Sequence, residues 1–412
     1  MVLQWSVRSA EHYSGSGLTF VMNNTIVGID VGTSQVKVIV ARGQDGHALP
    51  SILGTGYAES RGVKQGYITS VADAARSIAA AAAQASKAAR VPIKRAYVSV
   101  GGVGIEEAFA RGEAVVERGD SEITERDIPH AIAAAERALP PSAKLNRKII
   151  HTIPLFFVVD GVRVLGRSPL GMKGARVSVE VLFITCLERH VADLVAAVDE
   201  AGIEVEDIVA APLAASFVAL TKTQKNVGCV LANLGSETLS LVVFEDAVPI
   251  SIKVFPTGSS SITNDLALGL RIAPEEAEEL KRGAVLGAPF PKKKVDDLIA
   301  KRLSDMLKLV EHHLKKIGKD ALLPGGIILT GGGSSIQTVS DLAKAVLHLP
   351  ARVATLAEGS PGKIQIGDGS WAVAFGLCVW GTSQGGNLEV HEETSFSHSL
   401  KSLWRWFKKF LP

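Results

Sequence analysis

Short apolar runs rich in β-branched residues, separated by glycine-bearing turns, recur along this chain and are interleaved with stretches of helical periodicity. The first two runs, Thr25 to Val31 and Gln35 to Val40, flank only Gly32, Thr33 and Ser34, which predicts a hairpin rather than a strand-to-helix crossover. A glycine-rich strand near Ile52 to Tyr57 follows, then an alanine-rich helix from about Val71 to Ala89 and a strand Arg95 to Val100 that ends in Gly101 and Gly102.

From Val103 to Cys186 the rhythm changes. Apolar alternations at Ala114 to Val116, Ile149 to Ile153, Phe156 to Val159 and Val177 to Ile184 surround a helix that starts near Thr124, and Asp160 with Gly161 signals a hairpin turn. This block predicts a small α+β insertion, an interaction module set between two halves of a larger α/β unit. The alternation resumes with a helix His190 to Ala201 and a strand Val227 to Asn233. That strand enters a second hairpin, which turns over Gly235, Ser236, Glu237 and Thr238 and returns through Leu239 to Phe244. The repeat of the device predicts two similar lobes with opposed turns, although hairpins are common enough that coincidence stays open on this echo alone.

Composition narrows the classes. A chain of 412 residues that is 47% hydrophobic can bury the cores of two or more domains. Its net charge of +2 excludes a bulk electrostatic nucleic-acid binder. The cysteines Cys186, Cys229 and Cys378 lie far apart in apolar runs and predict small core residues in a reducing compartment. No apolar stretch reaches the ~18 to 20 residues of a membrane span. Residues 1–24 do not resemble a signal peptide; they read as an extension or as a start placed too early, with Met22 just before the first strand.

The first turn carries the candidate chemistry. Gly32 lets the backbone approach a ligand, Thr33 and Ser34 add hydroxyl donors, Lys37 adds positive charge, and Asp30 ends the strand beside them. A carboxylate next to a phosphate cradle suits a hydrated Mg²⁺ between the two, whereas an ordinary hairpin turn would need none of these groups. Two later stretches suit the same cleft. Residues 271–283 place Pro274 early in a helix whose acids precede its bases, a charge run that by default is a solvated helix face, and residues 325–336 run from a buried strand into Gly331, Gly332 and Gly333.

Taken in order, these pieces resemble the superfamily of actin, sugar kinases and heat-shock-70 ATPases, and within it the FtsA family of bacterial cell-division proteins. The likeness runs from about Thr25 onward and includes the stretches 60–66, 122–128, 151–154, 157–161, 171–174, 211–214 and 262–270. It implies a two-lobed actin-like fold of duplicated ribonuclease-H-like α/β domains with an inserted α+β subdomain. The first lobe would be 25–102 with 186–224, the insertion 103–185, and the second lobe 225–380. By the same resemblance ATP and Mg²⁺ are the cofactors. Asp30 would hold Mg²⁺ through water, and Gly32, Thr33 and Ser34 would bind the β- and γ-phosphates while Lys37 neutralises them. Gly235, Ser236 and Thr238 would form the second phosphate turn, Glu278 and Lys281 would border adenine and ribose, and Gly331, Gly332 and Gly333 would pack on the adenosine.

That second turn departs from the family, where Asp-Ile-Gly-Gly-Gly-Thr is usual. Here Asn233 offers no anionic oxygen to orient metal-bound water, and Glu237 would set a negative charge near the phosphates. Such a like-charge contact costs on the order of a few kcal/mol unless the side chain turns outward. The expectation is weakened nucleotide binding with very slow or no hydrolysis, an ATP-binding assembly protein rather than an enzyme, and a gain in affinity on Asn233→Asp with Glu237→Gly.

The tail completes the reading. Residues 381–397 are rich in Gly, Ser, Thr, Asn and Glu and predict a flexible linker. In 398–412, Leu400, Leu403, Trp404, Phe407 and Leu411 share one helical face, with Trp406 and Phe410 adding aromatic surface. Lys401, Arg405, Lys408 and Lys409 lie largely opposite, the pattern of an in-plane anchor for anionic membrane lipid. FtsA-like proteins end in such a helix. The resemblance therefore implies a peripheral protein on the cytoplasmic side of the inner membrane, at the division site, that polymerises with itself. It would tether the ring protein FtsZ, whose C-terminal peptide docks on about 245–330, and meet other division-ring proteins through the insertion. A pilus-assembly scaffold or a small-molecule phosphotransferase of the same superfamily are the alternatives.

Overall fold

A computed structural model describes residues 25–43, 49–117, 119, 121–166, 168–283, 290–356 and 366–384. The leader 1–24, the linker beyond Gln384 and every residue of the proposed membrane helix, Leu400 to Leu411 included, lie outside them.

Two five-stranded sheets share one strand order. In the first, Glu204–Ala210, Arg95–Val100, Thr25–Val31, Gln35–Arg42 and Ser51–Glu59 lie side by side. In the second the equivalent row is Ala351–Val353, Ile327–Thr330, Cys229–Leu234, Leu239–Glu245 and Val248–Phe255. Each sheet opens with an antiparallel hairpin whose first strand then pairs in parallel with a later one. Duplicated order of this kind is the two-lobed actin-like α/β architecture read from the sequence.

Helix Val71–Ala89 covers the first sheet. Ser70 caps it by accepting the Asp73 N–H, and Lys87 sits in its last turn, so both ends complement the helix dipole. Its alanine face lies directly on the glycine-rich strand, for a Cβ on Gly56 would stand 2.1 Å from the Ala81 carbonyl oxygen. Small residues on both partners thus bring helix and sheet closer than ordinary side chains allow.

The insertion has its own core. Strands Glu106–Val115, Arg176–Leu187, Arg147–Val159 and Val162–Arg163 form an antiparallel sheet under helix Asp127–Ala138, packed around Ile128, Ile132, Phe157, Val181 and Phe183. Asp160 and Gly161 turn the chain with φ of 46° and 85°. Two expectations change here. The alternations at 149–153 and 156–159 are one strand, because Pro154 falls at a register shift where the ladder forgoes its missing N–H. The helix starts at Asp127 rather than near Thr124, whose backbone N–H and hydroxyl both donate to the Asp127 carboxylate at 2.8 Å.

Two further boundaries move. Val227 ends a helix, Lys222–Val227, started by a reciprocal cap between Thr221 and Gln224, so the strand begins at Cys229. The linker expected from Gly381 begins later, because helix Ala372–Gln384 runs through it. Thr382 and Ser383 donate their hydroxyls to the carbonyls of Val379 and Trp380, which lets polar residues continue the helix. This helix packs on the first sheet, not the second: a Cβ on Gly28 would stand 2.4 Å from the Ala374 carbonyl oxygen, and Trp380 donates its indole N–H to Asp207. The three cysteines are free and buried, as expected of core residues.

Candidate functional site

The two hairpin turns face each other across one cleft of about 1020 Å³ between the lobes. In the first, Asp30 pairs in register with Lys37 and Val31 with Val36, leaving Gly32, Thr33 and Ser34 at the tip. In the second, Leu234 pairs with Leu239 and the turn closes by the Gly235 N–H to Thr238 carbonyl bond of 2.9 Å. The geometry matches in detail. A Cβ on Gly32 would stand 2.9 Å from the Gln35 carbonyl oxygen, and one on Gly235 would stand 3.0 Å from that of Thr238.

The electrostatics concentrate at Asp30 and Lys37. Ser99 donates to the Asp30 carboxylate at 2.8 Å, and burial still raises that carboxyl above its ordinary value against the opposing pull of Ser99 and Lys37. Lys37 Nζ donates to the Ser370 carbonyl at 3.1 Å and lies 5.6 Å over the Trp371 ring. Burial lowers its pKa, partly offset by Asp30 and Asp368. Among the described residues no cluster of three or more metal-ligating side chains occurs. A carboxylate that belongs to no such cluster suits a hydrated hard cation better than a directly caged one.

All thirteen side chains and glycines singled out for the cofactor line this cleft, from Asp30 to Gly333. In and around the cleft the structure adds detail in three places. Lys281 has its ammonium committed: it donates to Glu278 at 2.5 Å, Thr263 Oγ1 at 2.9 Å and the Ser259 carbonyl at 3.2 Å. Burial pushes Glu278 up, but Lys281, Thr263 and Arg282 outweigh it and hold the carboxyl below its usual value. The pair therefore shapes the wall as a fixed unit with its donors already used.

The triple glycine also divides. Gly331 has φ of 85° and a Cβ there would meet Asn233 Oδ1 at 2.3 Å, while one on Gly333 would meet the Leu234 side chain at 2.5 Å. Both are glycine because the second hairpin packs against them. A Cβ on Gly332 would meet nothing within 4 Å, so this glycine alone of the three leaves open space. Gly331→Ala should lower stability by about 2 kcal/mol or more through strain and clash, whereas Gly332→Ala should leave the thermal midpoint nearly unchanged. Equal midpoints for the two variants would refute the division.

The third detail concerns Glu237. It does not line the cleft; its Oε2 accepts the backbone N–H of Gln65 at 2.6 Å, from the opposite lobe. Its carboxylate is engaged by the first lobe rather than left free over the turn. Asn233 does line the cleft, so the absence of an anionic oxygen there stands.

Several lining groups escaped sequence reasoning: Ser99, the loop carrying Asp368 and Ser370, and Lys292 and Asp296 on helix Lys292–Lys316. Asp368 with Gly369 marks a turn, which was the only local signal for that loop.

Comparison with known proteins places this geometry. A family model described as cell division protein FtsA matches residues 230–376, and one described as the SHS2 domain inserted in FtsA matches 108–185. The cell division protein FtsA of Bacillus subtilis is 32% identical over 376 residues, covering 86% of this chain and 83% of that protein. Its namesake in Pseudomonas aeruginosa is 29% identical, covering 80% and 82%. In Escherichia coli the figure is 24%, covering 93% and 97%. Among solved structures, a PilM–PilN type IV pilus biogenesis complex superposes with a TM-score of 0.65 at 18% identity, covering 87% of this chain and 98% of that one. MreB5 of Spiroplasma citri bound to AMPPNP gives 0.51 at 11% identity, covering 89% and 98%. The structural likenesses give the fold, and the relatives along the sequence set aside the pilus scaffold. On an actin-like body with this inserted module and relatives of that reach, the chain belongs to the FtsA family of cell-division proteins.

Proposed function

We propose that this protein binds ATP with Mg²⁺ between its lobes, polymerises on the cytoplasmic face of the inner membrane and tethers the FtsZ ring there. The observation that carries the nucleotide site is the pair of glycine turns on sheets of equal strand order, facing one another across a single cleft. The donor set fits. Thr33 and Ser34 offer hydroxyls, Lys37 offers a cation, Asp30 offers a water-mediated hold on the metal, and the open side of Gly332 leaves room for a flat ring. A bound triphosphate supplies an anion that both turns can grip at once, and so favours the closed arrangement of the lobes. The MreB5 structure, of similar fold, is bound to AMPPNP, which supports nucleotide as the ligand proposed here.

Asn233 offers no anionic oxygen to a metal-bound water, so nucleotide serves as a conformational ligand with very slow or absent hydrolysis. Steady-state phosphate release by the purified protein should stay near background, and rapid turnover would overturn this reading. The division into a first lobe of 25–102 with 186–224, an insertion of 103–185 and a second lobe of 225–380 carries over as part of the proposal, with helix Ala372–Gln384 belonging by its packing to the first lobe. The smaller part of the second lobe, about 245–330, would take the FtsZ C-terminal peptide, and the insertion would take other ring proteins.

The membrane role rests on the sequence of 398–412. Among the described residues no helix is long and apolar enough to cross a membrane. Each apolar side chain of the anchor contributes about 1.5 to 3 kcal/mol when buried. One copy then binds reversibly, and a filament gains by avidity. Full-length protein should sediment with anionic vesicles and a chain ending at Ser397 should not. Equal sedimentation would refute the anchor.

A further inference from the structure

Glu237 stands in the second turn yet takes no part in the cleft wall, and the bond it makes reaches the first lobe. Its Oε2 accepts the Gln65 N–H at 2.6 Å, and the next amide, that of Gly66, donates to Thr33 Oγ1 at 3.2 Å. Gln65 and Gly66 are the tip of a miniature hairpin, Val63–Lys64 paired with Tyr67–Ile68, and both have positive φ, 49° and 82°. A two-residue tip of that kind is conformationally well defined. It is also wedged in place, because a Cβ on Gly66 would stand 2.4 Å from the Gly102 Cα. One tight turn thus presents consecutive amides to a carboxylate of one lobe and a hydroxyl of the other.

The consequence lies at Thr33. A hydroxyl has one proton and two lone pairs, so accepting the Gly66 N–H fills one lone pair and leaves the proton for another acceptor. Thr33 lines the cleft, where a phosphate oxygen is the acceptor on the reading given above.

We propose that Glu237 is a positioning residue: by clasping the Gln65 amide from across the cleft it holds the 63–68 hairpin on Thr33 and sets that hydroxyl for a phosphate oxygen. The proposal rests on the cleft being the nucleotide site. It makes the grip of the first turn depend on the docking of the second lobe, with no contact between Glu237 and the ligand. The negative charge then has a use, since a carboxylate is a markedly stronger acceptor of an amide N–H than a neutral oxygen.

The test uses purified full-length protein, binding of ATP and of adenosine by calorimetry, and amide hydrogen exchange without nucleotide. Glu237→Ala should weaken ATP about tenfold, leave adenosine unchanged and speed exchange at Gln65. Glu237→Gln keeps an acceptor, though a weaker neutral one, and should recover only part of the ATP affinity. With Thr33→Val already present, Glu237→Ala should weaken ATP no further. Equal losses for ATP and adenosine would show general loosening, and additive losses with Thr33→Val would show that Glu237 acts elsewhere; either overturns the proposal. Unchanged exchange at Gln65 with normal ATP binding overturns it alone. A wild-type protein that binds neither ligand overturns the nucleotide reading as well.

Discussion

Lys37→Ala should weaken ATP binding by about ten- to a hundredfold, the range expected when a charge-assisted hydrogen bond of about 1.5 to 3 kcal/mol is lost. Lys37 is the register partner of Asp30, so its ammonium sits beside the carboxylate at the end of the first strand. Without it, incoming phosphates would meet Asp30 with no lysine ammonium beside the carboxylate, and the burial that already raises the Asp30 carboxyl would act with less opposition. The Ser370 carbonyl would also lose its donor, which ties the 368–371 loop to the first turn. The fold should survive, because the strand is held by Val36, Val38 and Ile39 on either side of this position. Calorimetric titration of ATP into wild type and variant checks it, with thermal unfolding as the control. An unchanged affinity would mean that the first turn does not face the phosphates.

How much of this was legible depends on whether the deciding contact is local. Both hairpins could be read because a β-branched run, a short glycine turn and a second run specify pairing within about a dozen residues. The insertion could be read because its alternation differs in period from the helices around it. The direction of Glu237 could not, since its partner is a backbone amide 172 residues earlier in the chain. The same holds for the close approach of Gly331 and Gly333 to Asn233 and Leu234, which lie about a hundred residues earlier in the chain. Helix Ala372–Gln384 hid for a related reason. It carries apolar residues on every face, which marks it as buried but does not say on which sheet.

That helix carries a large expected stability effect at Gly376, where an added Cβ would come closer to another atom than at any other described glycine. Intrinsic helix propensity says Gly376→Ala should stabilise by about 1 kcal/mol, because glycine is the poorer helix former. Packing says the reverse. A Cβ on Gly376 would stand 1.8 Å from the Ala214 carbonyl oxygen and 2.5 Å from its carbon, so helix Ala211–Ala219 would have to retreat by more than 1 Å. Neither helix can yield. Ala374 presses on Gly28 of the first strand from one side, and Ala214 and Ala215 are themselves fully buried in the core that both sheets share. Forcing one methyl group against a fixed backbone costs about 1 to 3 kcal/mol in ordinary cores and more where neither partner relaxes, against a total stability of about 5 to 15 kcal/mol. Gly376→Ala should therefore lower the thermal midpoint by several degrees, and Gly376→Val should prevent accumulation of folded protein. Gly332→Ala serves as the reference for a glycine with open space. A midpoint for Gly376→Ala at or above wild type would show that the two helices do not cross at this glycine, and with that the placement of the last helix on the first sheet would fall.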